Sequence, residues 1–462
     1  MSPELKDSRV LVLGLGRSGL AVAEALLEAG ALVRASDSRP DLDADPRVHE
    51  LRARGAEIEL GGHARAGDWI DASDLVVPSP GISPSSDLLV RASEAGVPVI
   101  SEIELAFRSV SAPVVAVTGT NGKTTTCRMI GAILSAEGRE AVVCGNIGRP
   151  FVTAALEHPF ADAFVVEVSS FQLYFCESFH PVVSVITNIA PDHLDWHGSL
   201  AAYREAKGRI AARQTPDDWF VHPAAQPDLA ELAPPSGPRR IAFAREPVRG
   251  GDAVWTDGPA MYARIGSDDV DEIGPLGPLA DLGAPFVEDG LAAAAASIAY
   301  GVPSPVVGEA LRSFTPDRHR VETVARYRDV LYVDDSKATN PHAAAAAIRS
   351  FNRVVLIAGG RNKGLDLSEL TREAGRLAGV VAIGEAGPEV EAAFRATSVP
   401  VLKAASMEEA VELASSMAGP GDAILLSPAC SSYDRYRDYA ERGEAFQEAV
   451  RRFTEGAGGV YR

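Results

Sequence analysis

The sequence predicts an α/β protein with three domains, each built on a mostly parallel sheet. Apolar, β-branched runs alternate with Ala/Leu-rich amphipathic segments along the chain, which is typical of βαβ units. The length of 462 residues suggests about three domains of roughly 150 residues each. Polar residues also interrupt the apolar pattern just after predicted strands, where open α/β sheets bind ligands. These residues are Ser79, Thr120, Glu167, Asn188, Asp335, Gly360 and Ser427.

The order of the predicted elements sets the domain boundaries. Residues 1–105 predict a Rossmann-like domain, since the strand "RVLVLGLG" leads into the helix "SGLAVAEALLEAG", which ends at Gly30. Residues 106–315 predict a central P-loop-type ATPase domain that begins at "VVAVTGTNGKTTT". Within it, residues 223–285 are rich in Pro, Gly and Asp and predict a small β-rich appendage. Residues 316–462 predict a C-terminal Rossmann-like domain with a frayed tail, "EGAGGVYR".

The composition argues against several classes of function. A formal net charge of −19 at pH 7 disfavours a nucleic-acid or membrane-surface partner, because either needs a basic face. No stretch approaches the run of about 18 apolar residues that a membrane span needs, and the N-terminus lacks a secretory pattern. The four cysteines form no C-x-x-C pair, which disfavours disulfides and zinc and indicates a reducing cytoplasm. They are Cys127, Cys144, Cys176 and Cys430.

The stretch "TGTNGKT" reads as a compact phosphate-binding loop between a strand and a helix. The full Walker pattern would need a glycine where Val117 stands. Small residues still leave backbone N–H groups free to surround phosphate at a helix N-terminus. Lys123 can reach a β- or γ-phosphate, and Thr124 is placed for a Mg²⁺-linked hydroxyl. The alternative is a glycine-rich turn with an exposed lysine, which the strand–loop–helix context disfavours.

A second glycine motif, "GLGRSG", is a dinucleotide fingerprint, with Asp37 after the next strand. It indicates a phosphate over a helix N-terminus without naming the nucleotide, and a purely structural turn is the alternative. NAD is the obvious ligand, but a separate ATP loop makes a plain dehydrogenase a poor interpretation. The first domain is therefore expected to hold the nucleotide part of a substrate.

Further polar groups predict a metal corner and an anion-binding edge. Glu167 ends the strand of "EVSSFQL", and the "NIAPDHLDWHG" segment precedes a helix with Tyr203 and Lys207 on one face. Carboxylate and hydroxyl oxygens suit Mg²⁺, whereas a lone histidine of that segment is as often structural. Lys337 in "DDSKATNP" and Lys363 in "GGRNKG" suit an anionic substrate. Either lysine alone could equally be a solvated charge.

Together these motifs resemble the Mur ligase family, the ATP-dependent amide-forming enzymes of bacterial peptidoglycan synthesis. The resemblance runs from Val10 to about Phe446 through "TGTNGKTT", "EVSSFQL", "NIAPDHLD", "YREAK", "DDSKATN" and "SPACSSYD". The loop without the first Walker glycine is the family's form. "DSKATN" is most similar to members that add D-glutamate to UDP-N-acetylmuramoyl-L-alanine. The resemblance implies that ATP phosphorylates the substrate carboxylate and that the amine of D-glutamate attacks the acyl phosphate.

The resemblance also implies roles for individual residues. The implied catalytic residues are Lys123, Glu167, His193, Lys207 and Lys337. The implied ATP-binding residues are Gly119, Thr120, Asn121, Gly122, Lys123, Thr124, Thr125, Arg320 and Asp335. The implied residues for the UDP-linked substrate are Arg17, Ser18, Asp37, Ser38, Arg39, Ser79, Gly81, Asn146, Gln172 and His193. The implied D-glutamate residues are Thr339, Lys363, Ser432, Tyr433 and Tyr439. Two Mg²⁺ ions are implied, with Thr124, Glu167, His193 and a carbamylated Lys207 as ligands, in a cytoplasmic monomer.

One segment departs from the family's pattern. The family shows G-x-H-N-x-x-N before the Ala-rich helix, with asparagines near adenine. Here the segment is "GAPFVEDG", so Pro285, Phe286 and Asp289 take those positions. Either Phe286 stacks on the base or other groups hold it. Arg17 and Tyr433 are weaker departures that we expect to adjust pockets without changing the reaction.

Three alternatives to a D-glutamate ligase stay open at the level of the sequence. The first is another amino-acid-adding ligase of the same superfamily. The second is a nucleotide-sugar-binding regulator that has lost turnover, which the intact Lys123, Glu167, His193 and Lys207 disfavour. The third is a dehydrogenase, motivated only by "GLGRSG".

Overall fold

The structure, a computed structural model, describes residues 5–456 and divides into two compact units. Within these residues, the first unit comprises 5–189, 199–274 and 291–310. The second comprises 190–198, 275–290 and 311–456. In this described part of the chain, every helix is too short or too polar to cross a bilayer.

The first unit begins with a four-stranded sheet in the order β3-β2-β1-β4. Its strands are β1 (Arg9–Leu13), β2 (Leu32–Asp37), β3 (Glu57–Leu60) and β4 (Leu75–Pro78). Its helices are α1 (Arg17–Glu28), α2 (Pro46–Ala53), α3 (Ala66–Asp71), α4 (Asp87–Glu94) and α5 (Glu102–Phe107). All pairings are parallel, so the strands end at one edge of the sheet. The predicted first strand and helix are confirmed, and the helix ends just before Gly30, whose φ is +79°.

The second sheet of this unit has nine strands in the order β13-β12-β11-β10-β9-β8-β5-β7-β6. They are β5 (Val114–Thr118), β6 (Ala141–Gly145), β7 (Ala163–Glu167), β8 (Val183–Ile186), β9 (Trp219–Pro223), β10 (Arg239–Ala244), β11 (Asp252–Asp257), β12 (Ala260–Arg264) and β13 (Asp271–Pro275). The pairings from β6 to β11 are parallel, and β12 pairs antiparallel to β11. β5 lies between β8 and β7 and is buried at all five residues. The loop that follows it therefore starts from a tightly packed strand.

The predicted β-rich character of residues 223–285 is confirmed, but the prediction that they form a small appendage is wrong. β9 pairs with β8 in parallel, and the strands after it continue the central sheet. These short strands join the sheet through backbone hydrogen bonds to a neighbouring strand, which composition does not reveal.

The helices that connect strands of the second sheet or follow its last strand vary in length. They are α6 (Lys123–Ala136), α7 (Phe151–Glu157), α8 (Ser170–Tyr174), α9 (Leu194–His197), α10 (Leu200–Gly208), α11 (Pro278–Leu282), α12 (Ala284–Ala299) and α13 (Ser304–Arg312). The predicted Ala-rich helix is confirmed as α12, which ends just before Gly301.

The second unit holds a six-stranded sheet in the order β14-β15-β19-β16-β17-β18. Its strands are β14 (Glu322–Tyr327), β15 (Val330–Asp334), β16 (Val354–Gly359), β17 (Leu377–Ile383), β18 (Val401–Lys403) and β19 (Ala423–Ala429). Its helices after β15 are α14 (Pro341–Arg349), α15 (Gly387–Phe394), α16 (Met407–Met417) and α17 (Tyr439–Gly456). β14 is antiparallel to β15 and the other pairs are parallel. Beyond Gly456, the predicted frayed tail lies outside the described residues.

The predicted fold class, three α/β domains with mostly parallel sheets, is confirmed. Each sheet lies within one of the predicted ranges 1–105, 106–315 and 316–462, although residue 105 falls inside α5. The exact boundaries stay predictions. Six of the seven polar positions predicted at strand ends are there, but Ser427 lies inside β19. The prediction failed at Ser427 because that strand continues for two further buried residues.

Candidate active site

The phosphate loop lies between β5 and α6 and depends on two glycines. Gly119 has φ +150° and Gly122 has φ +82°, values that L-residues with a Cβ rarely adopt. A Cβ on Gly119 would also lie 1.9 Å from Oγ1 of Thr187. The loop therefore keeps its course only with glycine at these positions.

The end of β8 braces this loop. The backbone N–H of Thr120 donates to the carbonyl of Asn188 at 2.9 Å, and the N–H of Asn121 donates to Oδ1 of Asn188 at 3.1 Å. Oγ1 of Thr187 donates to the carbonyl of Asn121 at 2.5 Å. Asn188 was predicted at a strand end but given no role, and Thr187 was missed. A short polar pair after a strand gives no signal of which loop it will meet.

Lys123 lies at the start of α6 with its ammonium turned onto its own loop. Nζ donates to the carbonyls of Gly119 and Thr120, at 2.9 Å each. An ammonium held by neutral carbonyls can exchange them for phosphate oxygens, which are stronger acceptors. With the N–H groups at the start of α6, the loop has the donors that a nucleotide phosphate needs. The residues present therefore fit ATP.

Thr124 and Glu167 form the predicted metal corner. Oγ1 of Thr124 donates to Oε2 of Glu167 at 2.7 Å, and Nδ2 of Asn146 donates to Oε1 of Glu167 at 2.9 Å. Glu167 is 3% exposed. A buried carboxylate beside a hydroxyl at the end of a phosphate loop offers the hard oxygen ligands that Mg²⁺ prefers. The donor set therefore fits Mg²⁺.

Lys207 is buried beneath the loop on the helix face predicted to carry Tyr203. Its Nζ lies 4.6 Å from the centre of the Tyr203 ring, which confirms the shared face. Nζ also donates to the carbonyl of Gly119 at 2.7 Å and to Oγ1 of Thr118 at 3.3 Å. The Tyr203 hydroxyl lies 3.1 Å from Oγ1 of Thr120. Carbamylation of Lys207 stays a prediction.

The glycine loop after β1 is organised by Asp37. Oδ2 of Asp37 accepts from the backbone N–H of Leu15 at 2.6 Å, and the Arg39 guanidinium donates to both carboxylate oxygens. Burial raises the pKa of Asp37, but its hydrogen bonds with Arg39 and Leu15 lower it further, so the net pKa lies below the usual value. Oγ of Ser79 donates to the carbonyl of Gly14 at 2.9 Å. Asp37 and Ser79 thus hold the loop that would face a nucleotide.

The other predicted substrate residues of this unit differ in accessibility. Arg17 is exposed and its Nη2 donates to the carbonyl of Asn146 at 3.2 Å. This contact brings the first sheet's glycine loop and the metal corner together. Gln172 is only 2% exposed, and its Oε1 accepts from Ser169 in a capping box. Its predicted contact with the muramoyl portion stays a prediction. Ser38, Arg39 and Gly81 are exposed, and Ser18 is half-buried.

In the second unit, the predicted D-glutamate residues follow strands that end at one edge. β15, β19 and β16 are adjacent and parallel, so Thr339, Lys363 and Ser432 lie on loops leaving the same edge. Ser432 is 3% exposed and Tyr433 is 64% exposed. Lys337, on the same edge, has its Nζ 5.0 Å from the centre of the Tyr439 ring. The predicted role of these residues in a D-glutamate pocket stays a prediction.

Arg442 joins these loops, and the sequence reasoning missed it. Arg442 is 1% exposed, and its guanidinium donates to Oγ and the carbonyl of Ser336, at 2.9 and 2.8 Å, and to the carbonyl of Cys430 at 3.0 Å. Burial lowers its pKa to about 10. A Cβ on Gly360 would lie 3.0 Å from Nη1 of Arg442. In the sequence, Arg442 is one of several charged residues of a helix, and nothing in the pattern predicts that it is buried.

Asp335 is buried beside Arg320. Oγ of Ser427 donates to Oδ2 of Asp335 at 2.7 Å, and Nε of Arg320 is buried without a hydrogen-bond partner among the described residues. Burial raises the pKa of Asp335 to about 7, although Ser427 and Arg320 oppose the shift. Nearby, Nδ1 of His319 lies 2.7 Å from Oδ2 of Asp334.

His193 belongs to the second unit, in segment 190–198, where Asn340 Nδ2 approaches Asp192 Oδ2 at 3.5 Å. The structure therefore does not group His193 with Glu167 and Lys207 in one unit. The unusual segment before the Ala-rich helix forms the first turns of α12, with Phe286 4% and Asp289 9% exposed. Phe286 has almost no accessible face for stacking on adenine in this conformation.

Comparison with known proteins identifies the family to which this chain belongs. Family models match the Mur ligase MurD-like, N-terminal domain over residues 8–101, the Mur ligase middle domain over 117–256, and the Mur ligase, glutamate ligase domain over 319–430. The chain belongs to the Mur ligase family. Within that family it is MurD-like, and as a Mur ligase it is an ATP-dependent enzyme rather than a dehydrogenase.

Known ligases are similar in sequence to this Mur ligase over nearly its whole length. A UDP-N-acetylmuramoylalanine–D-glutamate ligase from Frankia casuarinae is 44% identical over 96% of this chain and 93% of that protein. The ligase of the same name from Thermobifida fusca is 43% identical over 97% and 99%. MurF ligase from Thermotoga maritima in complex with ADP has a TM-score of 0.59 at 18% identity, covering 97% of this chain and 96% of that one. This last likeness shows the fold alone.

Proposed function

We propose that this chain joins D-glutamate to UDP-N-acetylmuramoyl-L-alanine with ATP, releasing ADP and phosphate in peptidoglycan precursor synthesis. The observation that carries the proposal is the compact phosphate loop whose helix presents Thr124 to Glu167 at 2.7 Å. The names of relatives 43 and 44% identical over nearly the whole chain support the choice of substrates. A cytoplasmic monomer is part of the proposal.

The first step would transfer the γ-phosphoryl group of ATP to the terminal carboxylate of the muramoyl-alanine substrate. A carboxylate oxygen bonds to the γ-phosphorus, the bond to the β–γ bridging oxygen breaks, and ADP leaves. Lys123 would exchange its loop carbonyls for phosphate oxygens and offset their charge. Bound Mg²⁺ would supply further charge neutralisation. The proposed Mg²⁺ ligands are Thr124, Glu167, His193 and Lys207, if carbamylated.

The second step would form the amide. The amino nitrogen of D-glutamate attacks the acyl carbon and loses a proton, and the tetrahedral species expels inorganic phosphate. Lys363 is the proposed partner of a D-glutamate carboxylate, beside Thr339, Ser432, Tyr433 and Tyr439. Holding the amine close to the acyl phosphate can be worth about 7–11 kcal/mol. Arg320, Asp335 and Lys337 are proposed to contact the nucleotide.

The proposed substrate site in the first unit would use the glycine loop held by Asp37 and Ser79. Arg17 would bind the diphosphate, since its exposed guanidinium already reaches the turn of Asn146 at 3.2 Å. Ser18, Ser38, Arg39 and Gly81 would complete the uridine pocket, and Gln172 would lie towards the muramoyl portion.

Phosphate release from the full-length protein tests the proposal. Reactions contain ATP, Mg²⁺ and UDP-N-acetylmuramoyl-L-alanine with D-glutamate, L-glutamate or no amino acid. We expect release that requires D-glutamate and is abolished in Lys123→Ala. An exposed lysine change such as Lys6→Ala is the matched control. Release with another amino acid would move the assignment within the superfamily, and nucleotide binding without release would favour a regulator.

A further inference from the structure

Glu102 is a buried carboxyl group that the proposed mechanism does not use. It is the first residue of α5 and is 2% exposed. Its Oε1 accepts from the backbone N–H of Val152 at 2.7 Å, and its Oε2 has no hydrogen-bond partner among the described residues. A carboxylate buried with one empty oxygen is costly, so its position calls for an explanation.

Its partner, α7, lacks a cap of its own. The residue before the helix is Pro150, which makes no side-chain capping bond, and the first turn carries no acidic residue. Unpaired N–H groups at a helix N-terminus attract negative charge. Glu102 therefore supplies, from a separate helix, the acceptor that the sequence around α7 does not.

The helix capped by Glu102 begins where the turn of residues 145–150 ends; we call this segment the Asn146 turn. Nδ2 of Asn146 donates to Oε1 of Glu167, and its carbonyl accepts from Arg17. The turn is fixed at its start as well, because Gly145 has φ +98° and a Cβ there would lie 2.4 Å from the carbonyl of Glu167. One turn thus contacts both the metal corner and the proposed diphosphate partner.

We propose that Glu102 is a positioning residue that holds the Asn146 turn in register for the UDP-linked substrate. This inference rests on the proposed function. Glu102 would act through α7 and Asn146 and would touch neither the nucleotide nor the reacting carboxylate. Its loss would therefore weaken binding of the muramoyl substrate more than binding of ATP or D-glutamate.

The electrostatic surroundings of Glu102 add a second readout. Burial raises its pKa to about 7, while the N–H groups of Val152 and Phe151 and the charge of Arg17 oppose the shift. The thiols of Cys144 and Cys176 also interact with it electrostatically. An ionised carboxylate is the stronger acceptor for α7. Binding of the UDP-linked substrate should then tighten as the pH rises through about 7.

The test compares Glu102→Leu, Glu102→Gln and wild type in the full-length protein. Dissociation constants for UDP-N-acetylmuramoyl-L-alanine and for ATP are measured by calorimetry, and KM values come from phosphate release. We expect Glu102→Leu to weaken the muramoyl substrate about tenfold, which corresponds to about 1.4 kcal/mol. ATP and D-glutamate should change less than about twofold. Glu102→Gln keeps the acceptor oxygen and should restore most of the affinity, but without the pH dependence.

Glu104→Gln is the matched control, because Glu104 lies on the same helix, is fully buried and accepts from Ser178 and Arg108 instead. It should lower stability without a selective loss of substrate affinity. Equal weakening of all ligands, or the same selective loss in Glu104→Gln, would overturn the proposal. If Glu102→Leu does not fold, a pH-independent wild type would overturn it. An inactive wild type that still binds the UDP-linked substrate would refute the proposed function while leaving these binding constants decisive.

Discussion

Replacing Arg442 with methionine should loosen the edge of the third sheet. Methionine keeps a long unbranched stem but removes the three hydrogen bonds to Ser336 and Cys430, which span 2.8 to 3.0 Å. The arginine is 1% exposed, so water cannot replace the lost donors without rearrangement. Both loops that receive these bonds carry proposed D-glutamate residues.

The expected cost follows from the number of groups left without donors. Each buried acceptor that loses its partner costs about 1–3 kcal/mol, and two carbonyls and one hydroxyl are affected. Desolvation of the guanidinium, visible in a pKa lowered to about 10, offsets part of this cost. We therefore expect a loss of roughly 2–4 kcal/mol in the free energy of unfolding.

Urea unfolding and steady-state kinetics measure the two consequences. The unfolding midpoint of Arg442→Met should fall, and its KM for D-glutamate should rise more than its KM for ATP. Arg451→Met is the matched control, since Arg451 lies on the same helix but has a side chain that is 42% exposed and paired with Glu448. The reasoning is refuted if Arg442→Met has the same midpoint and the same D-glutamate KM as Arg451→Met.

Three further outcomes are expected. Gly119→Ala should abolish ATP binding in calorimetry, because its Cβ would lie 1.9 Å from a hydroxyl oxygen, whereas Gly62→Ala, which meets nothing within 4 Å, should bind normally. Glu167→Gln should lower kcat about 100-fold or more, because a neutral amide is a weaker ligand for the Mg²⁺ that would neutralise the transferring phosphoryl group, and an unchanged kcat would remove Glu167 from the mechanism. Asp335 has a folded pKa raised to about 7 from an ordinary value of 3.8, so its stabilisation is present below the ordinary value and is lost as pH rises through about 7. Asp335→Asn should therefore gain stability relative to wild type at high pH in urea unfolding, and a gain confined to acid would contradict that sign.

The fold was predictable where residue types carry a strong periodic signal. β1, β5 and β16 are apolar runs buried on both faces, and such runs followed by glycine are typical of parallel strands. β3 was not predicted, because "EIEL" alternates charge and apolar groups and gains its place only by pairing with β2. The strands after β9 were misjudged as an appendage for a similar reason.

The candidate site was predictable where the chemistry is local. Lys123 and Thr124 stand beside their glycines in the sequence, so their placement follows from the strand–loop–helix order. The groups that brace this loop come from distant segments, as with Thr187, and only the three-dimensional pairing of strands brings them near. Arg442 and Glu102 were missed because a buried charge looks in sequence like any surface charge.

The brace at the end of β8 has a consequence for communication along the chain. Asn188 holds the phosphate loop through the backbone of Thr120 and Asn121, and only four residues separate it from His193. A nucleotide that moved the loop would therefore strain the same short piece of polypeptide that carries the histidine.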